Sequence, residues 1–219
     1  MPNNTYTEVL IQGSEPEIKL IANRLQILEN DPADRDGFLA SFLGDPAAGC
    51  SKQESPNDIR VEKWGSKWDV YNVRNVVYCE IPESQRNEFT YHGEVECIWD
   101  SAWSPPVLGL QKLSNKHGLT IQIKYEDEGM FYVGMLKFIA GNQVFDQHYE
   151  GDRVIEGLYQ VFGIDRLREY FGYHFDNNHI SAFTLLTSQK HWMPQEVMLD
   201  IMGTFLNKLE PKDIRPLIK

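Results

Sequence analysis

The sequence predicts an α+β domain with a largely antiparallel sheet, followed by a helical appendage. Three observations carry that prediction. Strand-like alternations and two helical periods succeed one another as strand, helix, strand, strand, helix, strand. Glu126-Asp127-Glu128-Gly129 is a hairpin connection to one added strand. Past about residue 150 the apolar period becomes helical and stays so.

The first strand is "TEVLIQG", where Val9 and Ile11 alternate with Glu8, Leu10 and Gln12 and Gly13 ends the run. Ser14 is the expected N-cap of the helix that follows, with acidic residues in its first turn and Ile18, Ile21, Leu25 and Leu28 on one face. Residues 31–66 are rich in Asp, Pro, Gly and Ser and read as a long excursion holding one or two helical turns. "VRNVVYCEIP" and "GEVECIWDSAW" are strands. The second sets Val95, Cys97, Trp99, Ser101 and Trp103 on a buried face against Glu94, Glu96, Ile98, Asp100 and Ala102.

"SPPVLGLQKLSNKHG" is the second helix, with Ser104 as cap, proline at the first position and Gly118 as the stop. "LTIQIKY" and "MFYVGMLKFIAG" complete the sheet. This order is the ferredoxin-like split βαβ, placed over residues 5–148, with a helical C-terminal appendage over 149–219. In the appendage Val154, Leu158, Val161, Leu167 and Tyr170 recur at helical spacing. A last helix carries Val197, Ile201, Phe205 and Leu209 and stops at Pro211. Met198, Met202 and Leu206 adjoin that stripe and widen it beyond the roughly 100° that seats a helix on one core, so Met198 and Met202 are candidate interface residues.

A chain of 219 residues, 42% hydrophobic and 12% aromatic, can bury a substantial core. No apolar run approaches the roughly 20 residues of a bilayer span, and "MPNNTYTEVL" has no signal-peptide pattern, so a cytoplasmic protein with no membrane partner is expected. Cys50, Cys79 and Cys97 form no CxxC pair and read as reduced thiols, the latter two as small core side chains. The net charge of −11 repels a phosphate backbone and attracts basic protein surfaces, which makes general nucleic-acid binding the weaker expectation.

"WGSKWD" (64–69), "AWSPP" (102–106) and "YEDEGMFYVG" (125–134), in that order and spacing, resemble the YubB-type ferredoxin-like proteins of phages and plasmids. The resemblance spans about residues 7–145. It implies a ferredoxin-like fold, a mobile-element origin and a host-cell cytoplasmic location, and brings no catalytic residues with it. Ser66 stands where the resemblance leads one to expect threonine, and Asp127 is an additional residue in the hairpin.

Two indoles around a lysine pose the functional question. In a split βαβ layout the turn holding Trp64, Lys67, Trp68 and Asp69 meets the segment of Trp103, Ser104, Pro105 and Pro106 at one sheet end. One reading is a satellite core clamping a long loop. The other is a recognition platform, with Lys67 for an anion and Asp69 for a donor. Exposure of the indoles separates them.

Other chemistry is weaker. Glu94, Glu96 and Asp100, with Glu126 and Glu128, show the period of a solvated strand face more than a Mg2+ site. His174, Asp176, His179 and His191 lack metal-ligand spacing. GxxxxGK[ST], GxGxxG and GxSxG patterns are missing, and no cofactor is expected. The function expected is a non-catalytic accessory protein that binds a host or phage protein, inhibition of host defence being one outcome of such binding and a homodimer a second form of partner. The alternative is a nucleotide- or nucleic-acid-binding module, with or without catalysis, built on Trp64 and Trp68.

Overall fold

The structure, a computed structural model, describes residues 3–34, 36–86, 91–177 and 179–206. The chain divides into two compact units, Met1–His148 and Tyr149–Lys219. The first runs β1 (Asn4–Gly13), α1 (Glu15–Asn30), α2 (Phe38–Leu43), α3 (Pro56–Trp64), β2 (Tyr71–Glu80), β3 (Gly93–Ala102), α4 (Val107–His117), β4 (Thr120–Asp127), β5 (Tyr132–Ile139) and β6 (Asn142–Glu150). The fold is α+β and ferredoxin-like. Its sheet order is β2-β3-β1-β4-β5-β6, the first four strands giving the split βαβ arrangement.

β1 is the sheet's spine. It pairs antiparallel with β3 from Asn4↔Ala102 to Gly13↔Gly93, and with β4 from Thr5↔Asp127 to Gln12↔Thr120. Its burial alternates strictly, so Val9 and Ile11 face inward with Val95, Cys97 and Trp99 of β3 and Ile121, Ile123 and Tyr125 of β4. Ile18, Ile21 and Leu25 of α1, Phe38 and Leu39 of α2, and Leu110 and Leu113 of α4 complete that core. Each such side chain contributes roughly 1.5–3 kcal/mol on burial. The other sheet face carries Glu8, Leu10, Glu96, Ile98, Gln122 and Lys124, which with Asn75 and Val77 line a shallow cleft of about 340 Å3.

β2 departs from regular pairing. Tyr71 faces Asp100, Arg74 faces Ile98 and Val77 faces Glu96, so β2 gains one residue on β3 at each of two steps. Asn72 and Asn75 sit there at φ 52° and 55°. These are bulges, and asparagine is the side chain that tolerates that conformation.

The excursion over 31–66 holds more helix than its weak apolar period suggests: α2, and the nine-residue α3, which buries Trp64 alone. Helix α4 begins at Val107 with Pro106 at its cap, so Ser104 is not the cap the sequence suggested. Cys79 is exposed on β2, against its expected place in the core, whereas Cys97 is buried and burial pushes its thiol well up. No alternation announces β6, since seven of its nine residues are exposed; Ala140 and Gly141, both at positive φ, turn the chain into it.

The second unit contains α5 (Val154–Phe162), α6 (Ile164–Asn177), α7 (His179–Ser188) and α8 (Gln195–Leu206). Leu158, Val161, Leu167, Phe171, Phe175, Ala182 and Leu186 are buried. Val197, Ile201 and Phe205 of α8 join them, the Phe205 ring stacking on Phe175 at 4.5 Å. Arg168 of α6 pairs with Asp200 of α8. Leu209 and Pro211, the expected end of the last helix, lie outside the described residues. Met198 and Met202 are half-buried, beside Leu199, which is 57% exposed. The burial of α8 thus rests on Val197, Ile201 and Phe205. Replacing Met198 and Met202 together by glutamate is expected to keep the second unit folded, while Ile201→Glu, which buries an unpaired charge, costs several kcal/mol; helical circular dichroism through a thermal melt checks both.

Candidate functional site

The antiparallel register gathers the starts of β1, β2 and β5 and the ends of β3 and β4 at one end of the sheet. Asn4 faces Ala102, Thr5 faces Asp127, Tyr71 faces Asp100 and Glu126 faces Val133. Segments 64–69, 102–106 and 125–134 therefore meet there, although they are far apart in the chain.

Trp64 ends α3 and belongs to the core at 2% exposure. Its ring lies so near α4 that a Cβ added at Gly109 would come within 3.3 Å of it. Gly65 then turns the chain at φ 89°, and there a Cβ would press on the backbone nitrogen of Val107 at 3.2 Å. Ser66 is buried and donates to the Trp68 carbonyl at 2.7 Å. The Ser104 hydroxyl donates to the Gly65 carbonyl and ties the two segments together, while Ser101 donates to the Ser104 carbonyl and fixes the turn that presents it.

Asp69 is half-buried with its carboxylate turned inward. The N–H groups of Leu39, Ala40 and Val70 donate to it at 2.8–2.9 Å, two of them from the first turn of α2. A six-residue helix is marginal by itself, and Asp69 supplies a cap from 30 residues away. Burial pushes its carboxyl up from the usual carboxylate range, and the three N–H donors oppose that rise. Both carboxylate oxygens of Asp69 are thus engaged by backbone donors of the scaffold.

Trp103 takes the opposite course from Trp64. The alternation of β3 assigns it to the face of Trp99 and Ser101, yet it is 54% exposed. Its backbone sits at φ 71°, an uncommon conformation for so bulky a residue, and this turns the side chain out. Both backbone polar groups are held: its N–H donates to Asn3 at 2.9 Å and its carbonyl accepts from the Tyr132 hydroxyl at 2.6 Å. Since Tyr132 has one hydroxyl proton and gives it to Trp103, Thr5 must donate in the 2.6 Å contact between the Thr5 and Tyr132 hydroxyls. Tyr132 stacks on His148, whose Nδ1 lies 3.1 Å from the Tyr125 hydroxyl.

Lys67 crosses between the remaining indoles, its ammonium 4.3 Å from the Trp103 ring centre and 5.3 Å from that of Trp68. Both distances suit a cation–π contact. Trp68 is half-buried beside Tyr71 and borders a cleft of about 220 Å3 with Asp69, Pro32 and Val73. Tyr71 has its hydroxyl raised above its ordinary value by burial and by the nearby Asp100 and Glu128 carboxylates.

Of the residues singled out from sequence, Trp64, Lys67, Trp68, Asp69, Trp103 and Ser104 thus converge, with Trp64, Asp69 and Ser104 in the scaffold, Lys67 and Trp68 half-buried and Trp103 exposed. Met198 and Met202 belong to the second unit. Sequence reasoning gave no role to Phe131, 67% exposed just before the hairpin's second strand, and noted Asp127 only as an additional hairpin residue, not as the builder of the turn. The buried Asp127 accepts from Asn3, Gly129 and Phe131. The signal available was an acid four residues before a phenylalanine in "DEGMF". Among the described residues no group of three or more His, Cys, Asp or Glu side chains could hold a metal ion. No described helix is long and apolar enough to cross a membrane.

A family model described as the ferredoxin-like domain in Api92-like protein matches residues 80–163. The chain carries a ferredoxin-like domain. The matched stretch runs from the last residue of β2 through β3, α4, β4, β5, β6 and α5. The crystal structure of a protein api92 from Yersinia pseudotuberculosis is similar at 10% identity and a TM-score of 0.40, over 69% of this chain and 99% of that one. No curated protein matches.

The anchor of Trp103 is sensitive to alkali. Burial pushes the Tyr132 hydroxyl up to about 12, above its ordinary value of about 10. A raised pKa means that the native state resists ionisation, so the associated stability is complete below about pH 10 and is lost as pH rises towards 12. Thermal melts across that range are expected to show a falling Tm, with a shallower fall in Tyr132→Phe.

Proposed function

We propose that this protein is a non-catalytic binding module whose partner is another protein, engaged at the sheet end that presents Trp103. The observation that carries this reading is the conformation of Trp103: an indole turned out of the core at positive φ, with both of its backbone groups tied down. Backbone strain persists where surrounding structure over-determines it, as at ligand clamps and recognition sites. Tryptophan is also the side chain most enriched among residues that dominate protein interfaces. Phe131 offers a second exposed aromatic at the same end, and the net charge of −11 favours a partner with a basic surface.

The resemblance to phage- and plasmid-borne proteins directs the search to host or phage proteins, host defence enzymes among them. A second reading, a nucleotide or nucleic-acid module, draws on Lys67 lying between two stacking faces. Glu128 at the same sheet end and the net charge of −11 weigh against a phosphate there.

Affinity capture from host lysate, with and without phage infection, tests the proposal. Wild type is expected to retain a protein that Trp103→Ala and Phe131→Ala release. Trp103→Ala should change stability by no more than about 0.5 kcal/mol, as at a surface site, whereas Trp64→Ala should lose about 3–5 kcal/mol. Capture that survives Trp103→Ala, or that recovers nucleic acid alone, would falsify it.

A further inference from the structure

We infer that the space between Trp68 and Trp103 is a receptor for a cationic side chain, an arginine of the protein partner, and that Lys67 is its resident stand-in. This rests on the protein-binding reading of the same sheet end and names the chemistry that it recognises. The first observation is that the slot already holds a cation: the Lys67 ammonium lies 4.3 Å from one indole centre and 5.3 Å from the other. The second is what does not hold it there. Among the described residues no carboxylate forms an ion pair with Lys67, so ring faces set the position of its charge.

Charge decides between a cation and an anion as the natural occupant. Asp100 and Glu128 both act on Tyr71, the neighbour of Trp68. Arg74 and Asp100 pair at 3.1 Å and largely offset each other. A phosphate would enter against Glu128 and against the net charge of −11, and Lys67 is already engaged with the rings. A guanidinium meets none of these obstacles. It is planar, stacks on aromatic faces and is less strongly hydrated than an ammonium, so it displaces Lys67 on favourable terms. Lys67, half-buried on a flexible stem, can swing into solvent while the indoles stay in place. The slot is thereby kept closed by a weak competitor until a partner arrives.

The two possible roles of Lys67 make opposite predictions. If it is a competitor, removing it strengthens binding; if it is an anion hook, removing it abolishes binding. The full chain is titrated with a short blocked Gly-Ser peptide bearing two arginines, with the same peptide carrying citrulline instead, and with a thymidine oligonucleotide. Indole N–H resonances of Trp68 and Trp103 are followed by NMR. The arginine peptide is expected to move both resonances and the citrulline peptide neither. Lys67→Ala should tighten binding about two- to fivefold, the change equivalent to one exposed cation–π contact. Lys67→Met, which refills the slot without charge, should tighten it less, and Trp103→Ala should abolish it.

Weaker binding of the arginine peptide by Lys67→Ala overturns the inference, as does an oligonucleotide response that depends on Lys67. If Trp103→Ala sheds the captured protein while the arginine peptide moves neither indole in wild type or Lys67→Ala, the protein-binding reading stands and the cation slot fails. If the peptide responds as expected but capture ignores Trp103, the slot stands and the protein-binding reading fails.

Discussion

Pairing of β1 on both of its edges is the constraint on which the rest depends. Because Asn4 lies opposite Ala102 and Thr5 opposite Asp127, the first residues of β1 fix where β3 ends and where the β4–β5 hairpin begins. Asn3 extends that control past the strand, accepting the Trp103 N–H through its carbonyl and donating to Asp127 through its side-chain amide. A slip of one residue in either register would invert every side chain of β1 between the core and the opposite face. It would also part Trp103 from Tyr132. The sheet end is therefore no independent loop cluster; its geometry follows from the strand pairing that builds the core.

The same sheet end shows how one residue type takes two roles. Trp64 and Trp103 lie in neighbouring segments joined by the Ser104–Gly65 hydrogen bond, yet one is core and the other is surface. Helix α3 sends Trp64 down onto Gly109, whereas the positive φ at residue 103 lifts the other indole out. Sorting of this kind concentrates order in the scaffold and leaves aromatic area exposed at the surface. Asp69 completes the scaffold by capping α2, whose residues Phe38 and Leu39 close the core beneath Trp99.

Much of the fold was legible because burial alternates along β1 and β3 and recurs along α1 and α4 as their apolar residues do. Regions with no such contrast were not. β6 buries almost nothing, α3 buries one residue, and α7 mixes Ile, Ala, Phe and Leu with His, Ser and Thr without one strong apolar face, so periodicity had little to report. The convergence of Lys67, Trp68 and Trp103 followed from strand order alone, since antiparallel neighbours bring the start of one strand to the end of the next. The outward turn of Trp103 did not follow. Alternation carries a strand's phase forward, and only the backbone dihedral at residue 103 breaks it. Asp69 was similarly illegible, because its partners lie 30 residues away on a helix too short to read.

The central claim is that two of the three indoles of this sheet end face opposite ways, Trp64 into the core and Trp103 into solvent. Hydrogen exchange of the five tryptophan indole N–H groups, resolved individually by NMR, tests it most directly. The account predicts slow exchange at Trp64 and at the fully buried Trp99, fast exchange at Trp103, and an intermediate rate at Trp68. Protection of Trp103 equal to that of Trp64 would contradict it, because the indole would then belong to the core and not to the surface.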